Sequence, residues 1–312
     1  MAPPAKKAKT GEEDKAEEKT EEMEVSKEEE APKELETDAP ADKGAKIKQP
    51  VAFHTEDTTM NVMPAALGNM LMPLTDGGLQ YLLAGARASV GVKSGRYMFE
   101  AKIIENMSPA EDASARARTP MPRNQLRVGF STAGSQFFLG ETEDNVCFDT
   151  EGALIHNKKK QAIKGLKFTA GDVVAVLLNL DSKSPNANTV SLFKNGQRAC
   201  QPQALPEALK GKTLFPHLTF KNLTVHYNFG PTPLAALPFK CRMVADATAK
   251  DVTVATPAEK PKDGKHEVIF PVCLPDEGTF DWLDMFLENN KQFTELSDRA
   301  ILAWPGGGTP TR

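Results

Sequence analysis

The stretch VSLFKNGQ, residues 190–197, alternates apolar and polar side chains and then reaches an Asn-Gly pair. The alternation predicts a β-strand with Leu192 on one face and Phe193 on the other. Asn195 and Gly196 can both take positive φ, which a two-residue type I′ turn requires. The stretch therefore predicts an antiparallel hairpin, with the Asn-Gly pair as its chain reversal.

Similar short runs, rich in β-branched and aromatic residues and mostly bounded by Gly, Pro, Asn or Asp, recur from residue 51 onward. They are RYMFEAKII (96–104), QLRVGFST (125–132), VVAVLLNL (173–180), LFPHLTF (214–220) and LTVHYNFG (223–230). No long segment with a helical period separates them. Many strands without intervening helices favour an all-β fold, an antiparallel sandwich or barrel, over a parallel α/β sheet.

The charge is unevenly distributed along the chain. Residues 1–50 hold 15 Asp and Glu and 10 Lys and lack aromatic residues, whereas the rest holds 28 Lys and Arg against 27 Asp and Glu. A segment so poor in apolar residues is predicted to be a disordered acidic tail. The nearly neutral body does not indicate a broad phosphate-tracking surface.

The chain begins with a short basic run that contains Lys6, Lys7 and Lys9. Basic residues in an exposed flexible segment are typical of a nuclear import signal, and they are equally typical of a solvated basic terminus. We predict import and therefore a nuclear location.

After the strand-rich region, predicted at 51–245, a linker at 246–265 leads to an appendage at 266–312. The appendage begins with a short β run, and its apolar residues recur at helical spacing over 279–293. A second helix is predicted over 294–304, with Thr294 or Ser297 as its cap. Packing on the sandwich and docking of a partner both remain open for these helices.

The residue types of catalytic and metal sites are scattered along the chain. The four cysteines, Cys147, Cys200, Cys241 and Cys273, form no CxxC pair, and with no signal peptide pattern they fit a reducing compartment. No nucleophile elbow is present, and no apolar run is long enough for a membrane helix. The sequence predicts no enzyme activity, no metal, no cofactor and no membrane association.

The order of the motifs resembles that of a SPRY domain. The match rests on GARASVGVKSGRYMFEAKI (85–103), LRVGFST (126–132), CFDTEGALIHNKK (147–159), FTAGDVVAVLLNLD (168–181), VSLFKNGQ (190–197) and LFPHLTFKNLTVHYNFGP (214–231). It is most similar to the SPRY region of heterogeneous nuclear ribonucleoprotein U and its relatives. The resemblance implies a two-sheet antiparallel β-sandwich that binds proteins through loops at one end and along one concave face.

The chain departs from that ribonucleoprotein pattern at both ends. It has no recognisable SAP helix pair and no Arg-Gly-Gly tail, which count against direct RNA binding. Where those proteins continue into a P-loop domain, this chain has HEVIFPVCLPDEGTFDW (266–282), without the Gly-rich cradle and with Thr279 in place of the P-loop Lys. No nucleotide is expected.

Two arginines are candidate partner-binding residues. Arg87 and Arg127 fall at positions that, in the SPRY subunit of the histone methyltransferase core complex, supply a basic pocket for an acidic peptide. A guanidinium fork can hold carboxylates bidentately. The alternative is that each arginine forms a salt bridge inside the domain, for example to Glu100 or Asp172.

The long loop at 108–125 carries three further candidates, Arg116, Arg118 and Arg123. Loops of this length are usually functional or disordered, so a basic binding rim and a tolerated insertion are both open. Together these features predict a nuclear, non-enzymatic SPRY adaptor that binds peptides of ribonucleoprotein or chromatin partners, acidic ones among them. The alternatives are a direct RNA-binding protein and a subunit of a histone methyltransferase complex.

Overall fold

The structure, a computed structural model, describes most of the chain. The described residues are 34–40, 44–66, 68–75, 79–108, 123–163, 166–255, 262, 266–269 and 285–296. The strands within them are β1 (Phe53–Thr58), β2 (Val62–Pro64), β3 (Met70–Pro73), β4 (Ala84–Ala88), β5 (Val90–Val92), β6 (Gly95–Asn106), β7 (Gln125–Ser131), β8 (Asn145–Asp149), β9 (Ala153–His156), β10 (Lys159–Ala162), β11 (Val173–Leu180), β12 (Thr189–Lys194), β13 (Gln197–Arg198), β14 (Gln203–Ala204), β15 (Phe215–Lys221), β16 (Leu223–Asn228), β17 (Arg242–Met243), β18 (Val252–Val254), β19 (His266–Ile269) and β20 (Phe293–Leu296). Short 3-10 helices span Leu79–Tyr81, Glu207–Leu209 and Val244–Asp246, and residues 285–289 are α-helical.

Two antiparallel sheets form the sandwich. The first sheet has the strand order β1-β4-β15-β7-β8-β9-β10, and the second has the order β13-β12-β11-β6-β16-β3-β2. Outside this strand order, β14 pairs with β12, and β17 runs parallel to part of β6. The predicted all-β sandwich is therefore confirmed.

The hairpin of VSLFKNGQ forms as predicted. Asn195 and Gly196 have φ values of 51° and 82°, and β12 pairs with both β11 and β13. The turn is fixed from outside the hairpin as well, because Asn195 Oδ1 accepts the N–H of Val173 at 2.8 Å and its Nδ2 donates to Asp172 at 2.8 Å. The Asn-Gly pair is a structural turn.

The alternation of the strands divides the apolar residues between two layers. Leu192 and Val190 join the main core between the sheets, where Phe99 of the second sheet meets Phe130 of the first with ring centroids 5.4 Å apart. Phe193 instead lies on the outer face of the second sheet. It belongs to a smaller apolar cluster with Met98, Ala175, Leu177, Phe239 and Met243.

Contacts with the sandwich extend past residues 51–245 on both sides. On the C-terminal side, Ala247 and Val252 are buried in the core, and β18 pairs with β5. These residues pack because Asp251 accepts hydrogen bonds from the buried Tyr97 hydroxyl at 2.7 Å and from neighbouring hydroxyls.

On the N-terminal side, part of the predicted tail lies against the sandwich. The backbone of Ile47 donates to Ala247 at 3.1 Å, and that of Ala249 donates to Ala45 at 2.9 Å. Residues 34–40 also contact the domain, through the carboxylates of Glu34, Glu36 and Asp38. Residues 1–33 lie outside the described part of the chain.

The C-terminal appendage forms a small pair of parallel strands, β19 and β20. The predicted β run at its start is present, and residues 285–289 lie inside the first predicted helix. A strand stands at Phe293–Leu296, where the second helix was predicted to begin, so Thr294 does not cap a helix. None of the helices in the described ranges is long and apolar enough to cross a membrane.

Candidate functional site

Arg87 is buried on the outer face of the first sheet, with 3% of its surface exposed. Its Nε donates to Ser131 at 3.0 Å, its Nη2 donates to the hydroxyl of Ser135 at 3.0 Å and to the carbonyl of the same residue, and its Nη1 pairs with Asp57 at 3.2 Å. The guanidinium also lies 5.0 Å from the ring centroid of Phe137. Its donors are thus committed to the domain itself.

The Arg87 network extends to a buried histidine on the neighbouring strand. His217 is fully buried, its Nε2 lies 3.2 Å from the carbonyl of Phe137, and its Nδ1 lies 2.8 Å from Ser131 Oγ. A carbonyl can only accept, so Nε2 carries the proton and Nδ1 accepts from Ser131. Burial, with the Arg87 charge, holds the pKa of His217 well below its usual range. The ring is neutral at physiological pH.

Arg127 lies on the same face of the first sheet, on β7, two strands away from β4. It is buried, and its Nη1 donates to Glu141 at 2.8 Å and to the carbonyl of Leu139. Arg87 and Arg127 therefore both hold residues 132–144, here called the bracing loop, onto the first sheet. Intradomain pairing was the alternative for both arginines, but the carboxylates are Asp57 and Glu141.

The two carboxylates considered as partners for these arginines are used elsewhere. Glu100 accepts from Asn228 Nδ2 at 2.8 Å and from the backbone of Leu234 at 2.6 Å. Asp172 pairs with Lys194 at 3.0 Å, and its pKa is lowered because the Thr169 N–H, Asn195 and Lys194 stabilise the charged form more than burial opposes it.

The remaining predicted site residues are not brought together by the described structure. Lys6, Lys7, Lys9, Arg116 and Arg118 lie outside the described residues. Arg123 is exposed, and its carbonyl accepts from Asn222 at 3.3 Å. Partner binding by these residues stays a prediction.

The outer face of the second sheet carries a basic groove that the sequence analysis missed. We define the groove by Arg96 on β6, Asn179 on β11, Asn186 in the following loop, Arg198 on β13, and Lys240. Residues 34–40 (ELETDAP), the acidic segment, lie in it and belong to no helix or sheet. Residues more than 140 positions apart in the chain thus form one site.

Glu36 is the most buried member of the acidic segment, with 1% of its side chain exposed. Its Oε2 lies 2.5 Å from Arg96 Nη1, and its Oε1 accepts from Asn186 at 3.2 Å and from Asn179 at 3.3 Å. A buried carboxylate is stable only when it is paired and hydrogen-bonded, and this one is both.

Glu34 is held by Arg198 in a two-point contact. Arg198 Nη2 donates to Oε1 at 2.7 Å and its Nε donates to Oε2 at 3.1 Å. The guanidinium group of Arg198 packs on the ring of Phe193, 4.6 Å from the ring centroid. The guanidinium group of Arg96 packs on the ring of Phe239 in the same way, 5.4 Å from the ring centroid. The outer apolar cluster thus orients both arginines.

The end of the acidic segment binds main-chain atoms. Asp38 Oδ1 accepts the N–H of Lys240 at 2.8 Å, and the N–H of Ala39 donates to the Lys240 carbonyl at 2.7 Å. The groove therefore combines two oriented guanidinium groups with backbone pairing at one end, which is an arrangement suited to an extended acidic peptide.

The sequence contains a signal for the acidic segment but none for the groove that holds it. Glu34, Glu36 and Asp38 alternate, which would place their carboxylates on one side of an extended chain. Their recognition partners lie on three strands and two loops, so no local pattern reveals them.

The comparisons with known proteins identify the class. The sequence signature described as SPRY domain matches residues 121–232, and together with the sandwich it shows that the chain carries a SPRY domain, a protein-interaction module. Two solved structures are similar: the SPRY domain of human HERC1 (22% identical, TM-score 0.41, covering 57% of this chain and 97% of that one) and a human SPRY domain (15%, TM-score 0.40, covering 55% and 98%).

Among curated proteins, the chain is similar to two kinds of relative. It is 28% identical over 234 residues to mouse heterogeneous nuclear ribonucleoprotein U-like protein 2, covering 74% of this chain and 30% of that protein. It is 25% identical over 222 residues to the ATP-dependent RNA helicase DDX1 of Xenopus laevis, covering 70% of this chain and 27% of that protein. The chain spans less than a third of the length of either relative.

Proposed function

We propose that this chain is a non-enzymatic adaptor that binds acidic, extended peptide segments of other proteins through the groove on its second sheet. The observation that carries the proposal is the seating of Glu36, a buried carboxylate paired at 2.5 Å with Arg96. The donors that pair with the carboxylates of this acidic segment can pair with those of other acidic peptides in the same way.

The groove is suited to recognition because its arginines are oriented before a peptide arrives. The rings of Phe193 and Phe239 position the two guanidinium groups, as their distances from Arg198 and Arg96 indicate. Side chains that are already ordered lose less conformational entropy on binding. The charge is local, which agrees with a body that is nearly neutral as a whole.

The predicted arginines take different parts in this function. Arg87 and Arg127 are positioning residues for the bracing loop. Arg116, Arg118 and Arg123 follow β6 in the sequence. We infer that this basic stretch is a separate contact for acidic partners.

We infer a nuclear location and ribonucleoprotein or chromatin partners. Two observations support this inference: the basic run with Lys6, Lys7 and Lys9, and the similarity to a protein named as a heterogeneous nuclear ribonucleoprotein. The match covers only 30% of that relative, so the similarity concerns the region around the SPRY domain and not the whole protein.

Selection from a random-peptide display library tests the proposed function. The bait is the full-length chain with Glu34→Gln and Glu36→Gln, which removes the carboxylates that fill the groove. The matched control is the same bait with Arg96→Gln and Arg198→Gln, whose folding is verified by its melting temperature. We expect acidic peptides to be enriched by the bait and to be lost with the control.

Two outcomes would contradict the proposal. One is the enrichment of no acidic peptide, and the other is equal binding of the enriched peptides to the control. The same two proteins titrated with a single-stranded RNA oligonucleotide test the RNA-binding alternative. RNA affinity that falls steeply with added salt and disappears in the control would replace peptide binding with RNA binding.

A further inference from the structure

We propose that the groove recognises carboxylates at alternate positions of an extended peptide, and that the acidic segment is the chain's own competitor for it. The inference rests on the proposed function and deepens it, because it names the ligand pattern and its control. It follows from the geometry of residues 34–40.

The segment presents its carboxylates on one side only. Glu34, Glu36 and Asp38 contact the groove. Leu35 and Thr37 between them are exposed, and Leu35 has 42% of its surface in solvent. In an extended chain successive side chains point to opposite sides, so the recognised pattern is acidic, any residue, acidic, any residue, acidic.

The three acidic positions differ in how closely they are held. Glu36 is enclosed by Arg96, Asn179 and Asn186. Glu34 is partly exposed and has one guanidinium partner, whereas Asp38 is exposed and accepts one backbone N–H. The penalty for losing a carboxylate should therefore be largest at the central position and smallest at the third.

Main-chain contacts make the site tolerant of the intervening residues. Asn186 donates to the Leu35 carbonyl at 3.0 Å, Arg96 donates to the Thr37 carbonyl, and Ala39 pairs with the Lys240 carbonyl. None of these contacts involves the side chains of Leu35 or Thr37. A partner peptide needs the acidic spacing but not those two residues.

The acidic segment is tethered close to the groove. Only residues 41–43 separate it from the stretch that pairs with the domain through Ala45 and Ile47. A short tether gives an effective concentration on the order of millimolar. A partner peptide binds only the fraction of molecules whose groove is open, so its apparent affinity falls by that fraction.

The contacts of the segment also allow it to leave. No side chain of residues 34–40 belongs to the apolar core, and the segment is held by ion pairs and hydrogen bonds at the surface. Displacement by a stronger acidic peptide would leave the sandwich intact.

Fluorescence anisotropy with two labelled peptides tests the inference on the full-length chain. One peptide has the sequence of residues 32–40, PKELETDAP, and the other, PKEELTDAP, has the same composition with one carboxylate moved out of the alternation. The proteins are the wild type, the Glu34→Gln/Glu36→Gln variant, and a Glu143→Gln/Glu151→Gln variant that loses two exposed carboxylates elsewhere.

We expect the Glu34→Gln/Glu36→Gln variant to bind PKELETDAP at least about tenfold more tightly than the wild type and the Glu143→Gln/Glu151→Gln variant do. The permuted peptide should bind at least about tenfold more weakly, because its central carboxylate misses Arg96. Hydrogen exchange at the amide of Ala39 should become faster in the variant with the opened groove.

Each contrary result has a distinct meaning. If the wild type and the Glu34→Gln/Glu36→Gln variant bound PKELETDAP with equal affinity, the acidic segment would not be a competitor for the groove. An unchanged hydrogen-exchange rate at Ala39 would contradict the competition as well. Equal binding of both peptides would overturn the alternate-position pattern. Both results leave the proposed function standing, whereas failure of every protein to bind either peptide would overturn the inference together with acidic-peptide binding.

Discussion

Glu34 and Arg198 are 164 positions apart in the sequence and meet through two hydrogen bonds of 2.7 and 3.1 Å. Arg198 pairs across the hairpin with Phe193 and also lies over its ring, 4.6 Å from the centroid. The β12–β13 hairpin therefore also directs a guanidinium group toward the groove. Phe193 and Arg198 thus belong both to the sheet and to the candidate site.

The first prediction concerns this ion pair. Replacing Arg198 with Gln should release the acidic segment, because Glu34 loses both hydrogen bonds that join it to the groove and keeps only those from the N–H groups of Leu35 and Glu36. We expect faster hydrogen exchange at the amide of Ala39. Arg198 is buried and its Nη1 also donates to the Cys200 carbonyl, so the free energy of unfolding should fall by about 1–3 kcal/mol. Exchange mass spectrometry with a urea titration measures both quantities. Replacing Lys210, whose ion pair with Glu207 lies elsewhere on the surface, should leave exchange at Ala39 unchanged.

The second prediction concerns the Asn195-Gly196 turn between β12 and β13. At Gly196 an added Cβ would lie 2.3 Å from the carbonyl oxygen of Ala236, and φ is 82°. Gly196→Ala should therefore lower the free energy of unfolding by more than the roughly 1 kcal/mol expected from positive φ alone. Gly171→Ala is the matched control, since φ there is 88° and a Cβ meets nothing within 4 Å. Equal losses in the two variants would rule out the steric contribution.

The third prediction concerns the role of Arg87. Arg87→Ala should lower the free energy of unfolding by at least about 2 kcal/mol, because Ser135 and Asp57 lose a buried donor. Thermal and urea unfolding measure the loss. Arg123→Ala, at an exposed position, should change it by less than about 0.5 kcal/mol. An Arg87→Ala variant that kept wild-type stability but bound no peptide would instead show that Arg87 takes part in partner binding.

The fourth prediction is a pH dependence of stability that arises from His217. Its folded-state pKa lies well below 6.5 because of burial and the nearby Arg87 charge, while the unfolded chain takes up the proton near its ordinary pKa. The contribution of His217 to stability is thus fully present above about pH 6.5. It is lost as the pH falls toward the folded-state pKa, by up to about 1.4 kcal/mol per pH unit.

Urea unfolding of wild type and His217→Gln between pH 5 and 7.5 measures this slope. The variant should show a smaller decrease in stability on acidification, although it is less stable at neutral pH. His54→Gln, at an exposed position, should keep the wild-type slope. A wild-type slope in the His217 variant would assign the dependence to other groups.

Much of the sandwich could be predicted because its signals are local. The alternation in VSLFKNGQ predicted Leu192 and Phe193 on opposite faces of the strand, and Leu192 indeed lies in the main core while Phe193 lies in the outer cluster. The predicted strand at 173–180 agrees with β11 at both ends. Alternation and turn residues are encoded by neighbours in the sequence, so they remain readable without the fold.

The C-terminal appendage shows where local signals fail. Apolar spacing predicted a helix from Thr294, yet Phe293–Leu296 forms a strand that pairs in parallel with His266–Ile269. A partner strand more than 20 residues away satisfies the backbone of this segment, and tertiary pairing of this kind overrides a weak helical preference.

The longer strands of the sandwich, the Asn-Gly turn and the all-β class could be predicted from the sequence alone, because each depends on residues a few positions apart. That Arg87 and Arg127 hold a loop, and that Arg96 and Arg198 face an acidic segment, follows only from the tertiary structure. Whether an arginine is exposed or buried depends on what the rest of the chain places over it. The carboxylates that pair with these four arginines lie between 14 and 164 positions away, beyond the reach of any local pattern.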